Sequence, residues 1–228
     1  MRKAKKIIRY ARFFLRDMQN MAKYGRNAPL TAQLIHINPQ NVEYVYYRDL
    51  WNDELPESLK QKDRHSAPAL GGRRASGLVI GGDWDKDIEV LEKFPKYMIC
   101  QNRFSNGDSW EDTGAYSLMD KIMKDRPGAD GCHTSEDVMQ RYRLIDELYL
   151  SVQMNGRLKS RKEIQGGNFR EQGGVYFHIG RNGDVLFGGG GWHRLVVARF
   201  TGMESIPAQL GVVHSDAIRI WRRYLHNA

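Results

Sequence analysis

Cysteine is scarce in this chain of 228 residues, which contains only Cys100 and Cys132. Two cysteines without the spacing of a metal-binding pair make neither a disulfide framework nor a zinc site. Apolar runs are also short, and none approaches the roughly 20 residues that a membrane-spanning helix needs. No secretory signal is recognisable, because charges interrupt the apolar stretch behind the basic first residues. These absences favour a cytoplasmic protein, either free or peripheral at a membrane.

Acidic residues are almost absent from residues 1–26, where nine basic side chains accompany Asp17 alone. Removing these from the 35 basic and 27 acidic residues of the chain leaves 26 of each. The net charge of +8 therefore belongs to the N-terminal segment, and the rest of the chain is neutral overall.

Residues 1–26 have the pattern of a basic amphipathic helix. Apolar side chains recur on one face at helical spacing, namely Ile7, Ala11, Phe14, Met18 and Met21. Gly25 ends the pattern. Three interpretations are open: a helix docked on the protein with its basic face in solvent, a helix on an anionic membrane surface, or an arm that contacts nucleic acid.

The remaining residues, 27–228, show alternating strand and helix patterns. Extended segments are predicted at residues 34–47, with a turn at Asn38-Pro39, and at 78–85 and 205–214. Residues 174–189 are typical of a hairpin, with Asn182-Gly183 as a type I′ turn. Helices are predicted at residues 87–101, interrupted at Pro95, and at 115–124, 134–156, 192–201 and 215–227. Thr134 or Ser135 caps the helix at 134–156, and Gly156 ends it. Residues 65–77 and 102–116 are predicted to be loops.

The most unusual stretch is "FGGGGWHR", residues 187–194, in which four glycines lead from a strand into a helix. The first turn of a helix has free N–H groups and a positive dipole end, which together attract anions. Glycines let the backbone approach phosphate oxygens closely. Arg194 adds a guanidinium, and His193 either donates one more hydrogen bond or holds the turn. We therefore expect a polyphosphate site at Gly188, Gly189, Gly190, Gly191, Trp192, His193 and Arg194.

This stretch resembles the ParB/sulfiredoxin-like superfamily, whose members carry a glycine-rich turn ending in arginine between a strand and a helix. Gly191 to Arg194 match that turn, and Ala198, Gly202 and "SIPAQL" match the helix and strand that come after it. Residues 148–158 and 35–44 are similar to two further family blocks. The resemblance implies an α+β fold with a small mixed sheet flanked by helices, in which residues 49–130 are an insertion. It also implies nucleotide binding at the turn, with ATP or CTP as the ligand.

The sequence departs from the family pattern in three places. Trp192 stands where sulfiredoxins have their nucleophilic cysteine, which excludes sulfiredoxin chemistry. Gly190 stands where the kinase-like turn has an aspartate. The short segment at 215–227 leaves no room for the helix-turn-helix of ParB proteins, which argues against a role in partition.

Further candidate residues lie in the insertion. Asp83 and Asp85 in "GGDWD" alternate on an extended segment, so both carboxylates would face one site as Mg²⁺ ligands or as a catalytic base. The alternative is an Asp-rich turn that caps the next helix. Arg103, Trp110 and Thr113 are candidate substrate-binding residues, although each is also compatible with a structural role.

The leading prediction is a nucleotide-dependent phosphotransferase or hydrolase, with ATP or CTP and Mg²⁺ as cofactors and a hydroxylated small molecule or glycan as acceptor. Two other classes stay open. One is a nucleotide-gated module that contacts DNA through residues 1–26, and the other is a non-catalytic scaffold whose glycines only form a corner.

Overall fold

The structure is a computed structural model that describes residues 2–60 and 69–225, with the backbone alone for residues 2–9. The helices are α1 (Arg2–Tyr24), α2 (Glu57–Lys60), α3 (Pro95–Gln101), α4 (Ala115–Asp125), α5 (Ser135–Asn155), α6 (Arg161–Ile164) and α7 (Trp192–Phe200). The strands are β1 (Leu34–Ile37), β2 (Tyr44–Tyr46), β3 (Val79–Ile80), β4 (Ile88–Val90), β5 (Val175–Ile179), β6 (Val185–Phe187) and β7 (Ile206–His214).

The strands form one mixed sheet in the order β1-β7-β5-β6-β2-β4, with β3 paired to β7 as well. The central strand β7 runs parallel to β5 and antiparallel to β1. Val213 of β7 pairs with Ile179 of β5 and with Val79 of β3, so β1 and β3 share the other edge of β7. This mixed α+β sheet confirms the predicted fold class at its general level.

Helix α7 is buried at the centre of the molecule. Its residues Trp192, Leu195, Val196, Val197 and Ala198 are all almost fully covered. They belong to one hydrophobic core that also includes side chains from the sheet and from α3, α4 and α5. A helix that is apolar nearly all round needs this kind of burial. The core therefore fixes the position of the α7 N-terminus.

The predicted insertion contributes to the same sheet and the same core. β4 pairs antiparallel with β2, and β3 extends one edge of the sheet. Leu55, Phe94 and Met119 are fully buried in the main core. The described residues between 49 and 130 are thus integrated with the rest of the fold.

The prediction of a helix at residues 87–101 is wrong in its first half. Ile88–Val90 form a strand on β2, and α3 begins at Pro95. Proline fits the first position of a helix, where its missing N–H removes no bond, and the β-branched Ile88 and Val90 suit a strand.

The predicted helix at residues 215–227 is also wrong as far as the described residues extend. Two short 3₁₀ turns, Ser215–Ala217 and Trp221–Leu225, stand there instead. Trp221 is fully buried, and its Nε1 donates to the carbonyl of Asn27 at 2.7 Å. The segment is thus fixed by the buried Trp221 and its long-range hydrogen bond, without a regular helix. Residues 226–228 lie outside the described range.

The predicted hairpin at residues 174–189 is confirmed as β5 and β6, but its turn is not type I′. Gly183 is the only residue from 180 to 183 with a positive φ, at 84°, and its N–H donates to the carbonyl of Gly180. This is a type I turn followed by a left-handed glycine. The predicted cap of the helix at 134–156 is confirmed, because Thr134 accepts from the backbone N–H of Asp137 and Gly156 follows in the left-handed region.

Candidate anion-binding site

Four glycines turn the chain from β6 into α7, and each lies in a tight environment. Gly189 and Gly191 have φ of 77° and 91°, a region that other residues rarely adopt. A Cβ at Gly188 would clash with Tyr176 and His178, and a Cβ at Gly190 would overlap the guanidinium of Arg73. Backbone conformation therefore favours glycine at positions 189 and 191, and the absence of a side chain at Gly190 lets the guanidinium of Arg73 lie directly against the backbone.

A cavity of about 730 Å³ lies in front of this corner. Its lining includes residues 189–194 and the basic side chains Arg73, Lys96, Arg141, Arg161 and Arg194. The acidic side chains that line it are Glu54, Asp130 and Asp137. The size falls within the range of small-molecule sites, and the lining is more basic than acidic.

Several residues that line this cavity have a buried side-chain nitrogen without a hydrogen-bond partner among the described residues. These nitrogens are the Nε atoms of Arg141, Arg161 and Arg194 and the indole Nε1 of Trp192. A buried donor left unpaired costs about 1–3 kcal/mol. Donors from four side chains around one cavity, next to the free N–H groups of the α7 N-terminus, form an arrangement that an anion would satisfy.

Arg73 is held against the glycine corner by three contacts. Its Nη1 donates to the side-chain oxygen of Gln209 at 2.6 Å, and its Nη2 donates to the carbonyl of Gly174 at 2.6 Å. Its guanidinium also lies 5.3 Å from the ring centre of Tyr176. Burial, with a contribution from the charge of Arg161, lowers the pKa of Arg73 to about 10. Arg73 is still a cation at neutral pH.

Arg194 is in the same electrostatic situation. Burial, reinforced by the charge of Arg161, lowers the pKa of Arg194 to about 10. One of its terminal nitrogens donates to the carbonyl of Lys159, while its Nε faces no acceptor among the described residues. The mutual repulsion of Arg73, Arg161 and Arg194 would be relieved by a bound anion.

His193 supports the site through Arg141. Its Nδ1 lies 3.2 Å from Nη2 of Arg141, which can only donate, so this ring nitrogen is the acceptor. Burial and the charge of Arg141 lower the pKa of His193, so the ring is neutral. His193 thus accepts a hydrogen bond from Arg141 and orients its guanidinium.

A network of paired charges also lines the cavity. Lys96 Nζ lies 2.9 Å from a carboxylate oxygen of Glu54 and 3.4 Å from one of Asp130. Asp130 also pairs with Arg141 at 3.2 Å. Burial opposes ionisation of Asp130, but Lys96 and Arg141 outweigh it and lower the pKa. Asp130 has a φ of 54°, unusual for a residue with a side chain, and it brings a carboxylate into the cavity.

The structure does not bring Asp83 and Asp85 to the glycine corner. Both carboxylates hold Arg181, the first residue of the β5–β6 turn. Asp85 also accepts the backbone N–H of Arg181 at 2.8 Å, and Asp83 pairs with Lys86. Neither residue lines the cavity. Their predicted catalytic and metal-binding roles therefore gain no support from their position, which instead fixes the hairpin turn against residues 82–85.

The three predicted substrate-binding residues also lie outside this cavity. Arg103 pairs with Asp146 through two hydrogen bonds of 2.9 and 3.1 Å, and the indole of Trp110 donates to the same carboxylate. Trp110 is buried, and Thr113 donates to its carbonyl. These contacts join residues 102–113 to α5. The structural alternative describes them better than substrate binding does.

Four basic residues of the cavity were not predicted as site residues: Arg73, Lys96, Arg141 and Arg161. Arg73 lies in the predicted loop at residues 65–77, but its neighbours Ala75 and Ser76 are buried and its guanidinium reaches Gly190. The sequence signal was the glycine pair directly before Arg73, which indicates a tight turn. Gly71 and Gly72 both have a positive φ in the structure. Residues 65–68 of that predicted loop lie outside the described residues.

The described residues contain neither a metal-binding cluster nor a membrane span. Within these ranges, no three histidine, cysteine, aspartate or glutamate side chains come together in a way that could hold a metal ion. No described helix combines the length and apolar character needed to cross a membrane. No protein-family model, curated protein or solved structure matches the chain.

Proposed function

We propose that this cavity binds the phosphates of a nucleoside triphosphate, ATP or CTP. The observation that carries the proposal is the set of buried, unpaired arginine nitrogens beside a glycine corner and a helix N-terminus. Arginine forms two parallel hydrogen bonds to phosphate oxygens, and each of these charge-assisted bonds is stronger than a neutral one. Several arginines in one cavity suit a polyphosphate better than a single carboxylate.

The remainder of the nucleotide would lie along α5. Leu144, Ile145 and Leu148 line the cavity beside the arginines and give it an apolar wall. A base and a sugar present apolar faces that such a wall can cover, and nucleotide sites combine apolar lining with a few polar anchors. The volume of about 730 Å³ is sufficient for a nucleotide.

We further propose that the chain has the ParB/sulfiredoxin-like type of fold. Support comes from the sequence resemblance together with the order of the hairpin β5–β6, the glycine corner, α7 and β7. The corner follows β6, which pairs antiparallel with β5, and it lies beside the start of β5, where the N–H of Tyr176 donates to the carbonyl of Gly190. Trp192 at the corner argues against sulfiredoxin chemistry in any case, because indole is not a nucleophile of that kind.

Phosphoryl transfer to a hydroxyl group of a small molecule or glycan is the reaction that we propose for this site. Asp130 and Glu54 are the carboxylates nearest to the cluster of cations, since both pair with Lys96 inside the cavity. Mg²⁺ usually keeps several waters and binds through substrate phosphates and one or two carboxylates, so it would accompany the nucleotide. Asp130 is the residue to test as the acidic member of such a site.

The experiment is a calorimetric titration with ATP and CTP in the presence of Mg²⁺, performed on the wild type and two variants. Arg161→Gln removes a guanidinium with an unpaired Nε and should weaken binding about tenfold or more. Arg143→Gln removes an exposed guanidinium on α5 and should leave binding unchanged. Equal binding by all three proteins, or no binding by any, would contradict the phosphate site.

A separate assay tests the reaction. Phosphorus NMR of the protein with each nucleotide and a panel of hydroxylated compounds would distinguish transfer, hydrolysis and binding alone. Binding without any product, combined with salt-sensitive DNA binding, would favour the nucleotide-gated DNA-binding alternative.

A further inference from the structure

Helix α1 is docked on the protein through one polar and aromatic edge. Asp17 accepts the backbone N–H of Thr31 at 2.7 Å and pairs with Arg170 at 2.6 Å. The amide of Asn20 donates to the carbonyls of residues 29 and 77, each at 2.7 Å. Phe13 is buried and contacts Phe169, with ring centres 5.6 Å apart. These contacts fix the orientation of the helix on the body.

The apolar face of α1 points away from this docking edge. Phe14 is 67% exposed, Leu15 56%, Met18 53% and Met21 58%. Four large, exposed apolar side chains on a single helix face form a contiguous patch, and such a patch marks an interaction surface. We call this surface the α1 stripe, defined as Phe14, Leu15, Met18 and Met21.

The charge around the α1 stripe is strongly positive. Residues 1–26 have nine basic side chains and one acid, and that acid, Asp17, is already paired with Arg170. Arg12, Lys23 and Arg26 are exposed. By helical spacing, Arg12 and Lys23 lie on the opposite side of the helix from Phe14. Arg16 lies on that side too, but it donates to the carbonyls of residues 74 and 76 and so belongs to the docking edge. An apolar face opposite a basic polar face is the arrangement of a helix that lies in a membrane interface.

We propose that α1 binds an anionic lipid surface, with the α1 stripe inserted between headgroups and the basic residues attracted to lipid phosphates. This site is distinct from the proposed nucleotide site and does not depend on it. Nucleic acid would use the charges but would leave the α1 stripe in water. A second copy docked on the stripe would bring two segments of charge +8 together, and like charges oppose that contact.

The test is vesicle co-sedimentation of the full chain at low and high salt. One vesicle preparation contains equal parts of phosphatidylglycerol and phosphatidylcholine, and the other contains phosphatidylcholine alone. The protein should sediment with the anionic vesicles, and raising the salt should weaken that binding, because the attraction to lipid phosphates is screened.

The variant Phe14→Ser/Met18→Ser should lose at least about tenfold in affinity for the anionic vesicles. Both side chains are exposed, so the fold should not change, and a circular dichroism melt checks this. The matched control is Leu150→Ser/Met154→Ser on α5, which removes two side chains that are 54% and 84% exposed outside the α1 stripe. The control should bind like the wild type.

Three results would overturn the proposal. The first is absence of binding to the anionic vesicles. The second is equal loss of binding in the two double variants. The third is a dimer in analytical ultracentrifugation that Phe14→Ser/Met18→Ser converts to a monomer, because the stripe would then be covered by a second copy. Duplex DNA binding that persists in Phe14→Ser/Met18→Ser, with no vesicle binding by the wild type, would assign the basic residues to nucleic acid instead.

Discussion

Replacing Arg194 with methionine should weaken nucleotide binding and yet leave the ligand-free protein more stable. Burial, together with the charge of Arg161, lowers the pKa of Arg194 from its ordinary value to about 10. The folded state therefore disfavours the charged form. This cost is fully present at every pH below about 10, and it falls only as the pH rises towards the pKa of the unfolded chain.

The magnitude comes from the size of that shift. One unit of pKa corresponds to about 1.4 kcal/mol, so the lowered pKa of Arg194 represents a destabilisation of about 3 kcal/mol at neutral pH. Methionine keeps an unbranched apolar stem of similar course and removes the charge. It also loses the hydrogen bond to the carbonyl of Lys159, worth about 1 kcal/mol. The net expectation is a gain of about 1–2 kcal/mol.

Two assays measure the two effects. Urea unfolding without nucleotide should show the gain, and the melting temperature should rise by about 2–8 °C for a chain of this length. Calorimetric titration with ATP or CTP should show a loss of about 10- to 100-fold in affinity, because one charge-assisted hydrogen bond to phosphate is removed. Arg143→Met, on the exposed side of α5, is the control and should change neither quantity.

A variant that is clearly less stable than the wild type while it retains full nucleotide affinity would refute this reasoning. That combination would mean that Arg194 stabilises the fold and does not bind an anion. The opposing signs of the two effects are what distinguish a binding residue from a structural one.

Three further predictions address the corner, the turn and the buried histidine. Gly190→Ala should displace the flexible guanidinium of Arg73 and weaken nucleotide binding about tenfold with little loss of stability. Gly191→Ala should lower stability by about 1–3 kcal/mol in urea unfolding, because Gly191 has a φ of 91° and lies against the backbone of Val175. Asp85→Asn should lower stability by about 1 kcal/mol through Arg181 and leave calorimetric nucleotide affinity unchanged; a selective loss of nucleotide binding would restore the predicted role of Asp85. Burial lowers the pKa of His178 to about 3, so below about pH 6.5 the unfolded chain takes up a proton that the folded protein does not. Urea unfolding should therefore show about 2 kcal/mol less stability from this residue at pH 5 than at pH 7, and no change over that interval would contradict the burial of a neutral His178.

Local signals were sufficient for much of the fold. The capping pair Thr134 and Asp137 and the terminal Gly156 define α5 within its own segment. The alternation of Val175, Phe177 and Ile179 likewise defines β5, and the glycines at 188–191 define the corner before α7. These features depend on residues close in sequence, which is why periodicity and turn chemistry could predict them.

The cluster of arginines could not be predicted in the same way. Arg73 and Arg161 come from segments far apart in sequence, and the tertiary structure brings them to the same cavity. Nothing in the segment around Arg161 distinguishes it from an exposed arginine. The same limit applies to Asp85, whose partner Arg181 is 96 residues away.

The N-terminal helix shows that periodicity identifies an apolar face without identifying its partner. The stripe that helical spacing selects, which includes Phe14 and Met18, is exposed, and the helix docks through Asp17 and Asn20 instead. Hydrogen bonds to backbone groups of residues 29, 31 and 77 decide this orientation. Such bonds are specified by the tertiary structure and leave no hydrophobic period in the sequence.

The most direct test of the proposed phosphate site is a calorimetric comparison of triphosphates with nucleosides on the wild-type protein. We predict that ATP or CTP binds, that adenosine and cytidine do not, and that pyrophosphate competes with the bound triphosphate, because the arginines and the glycine corner recognise phosphate. No heat of binding with either triphosphate, or equal affinity for nucleoside and triphosphate, would contradict phosphate recognition by this cavity.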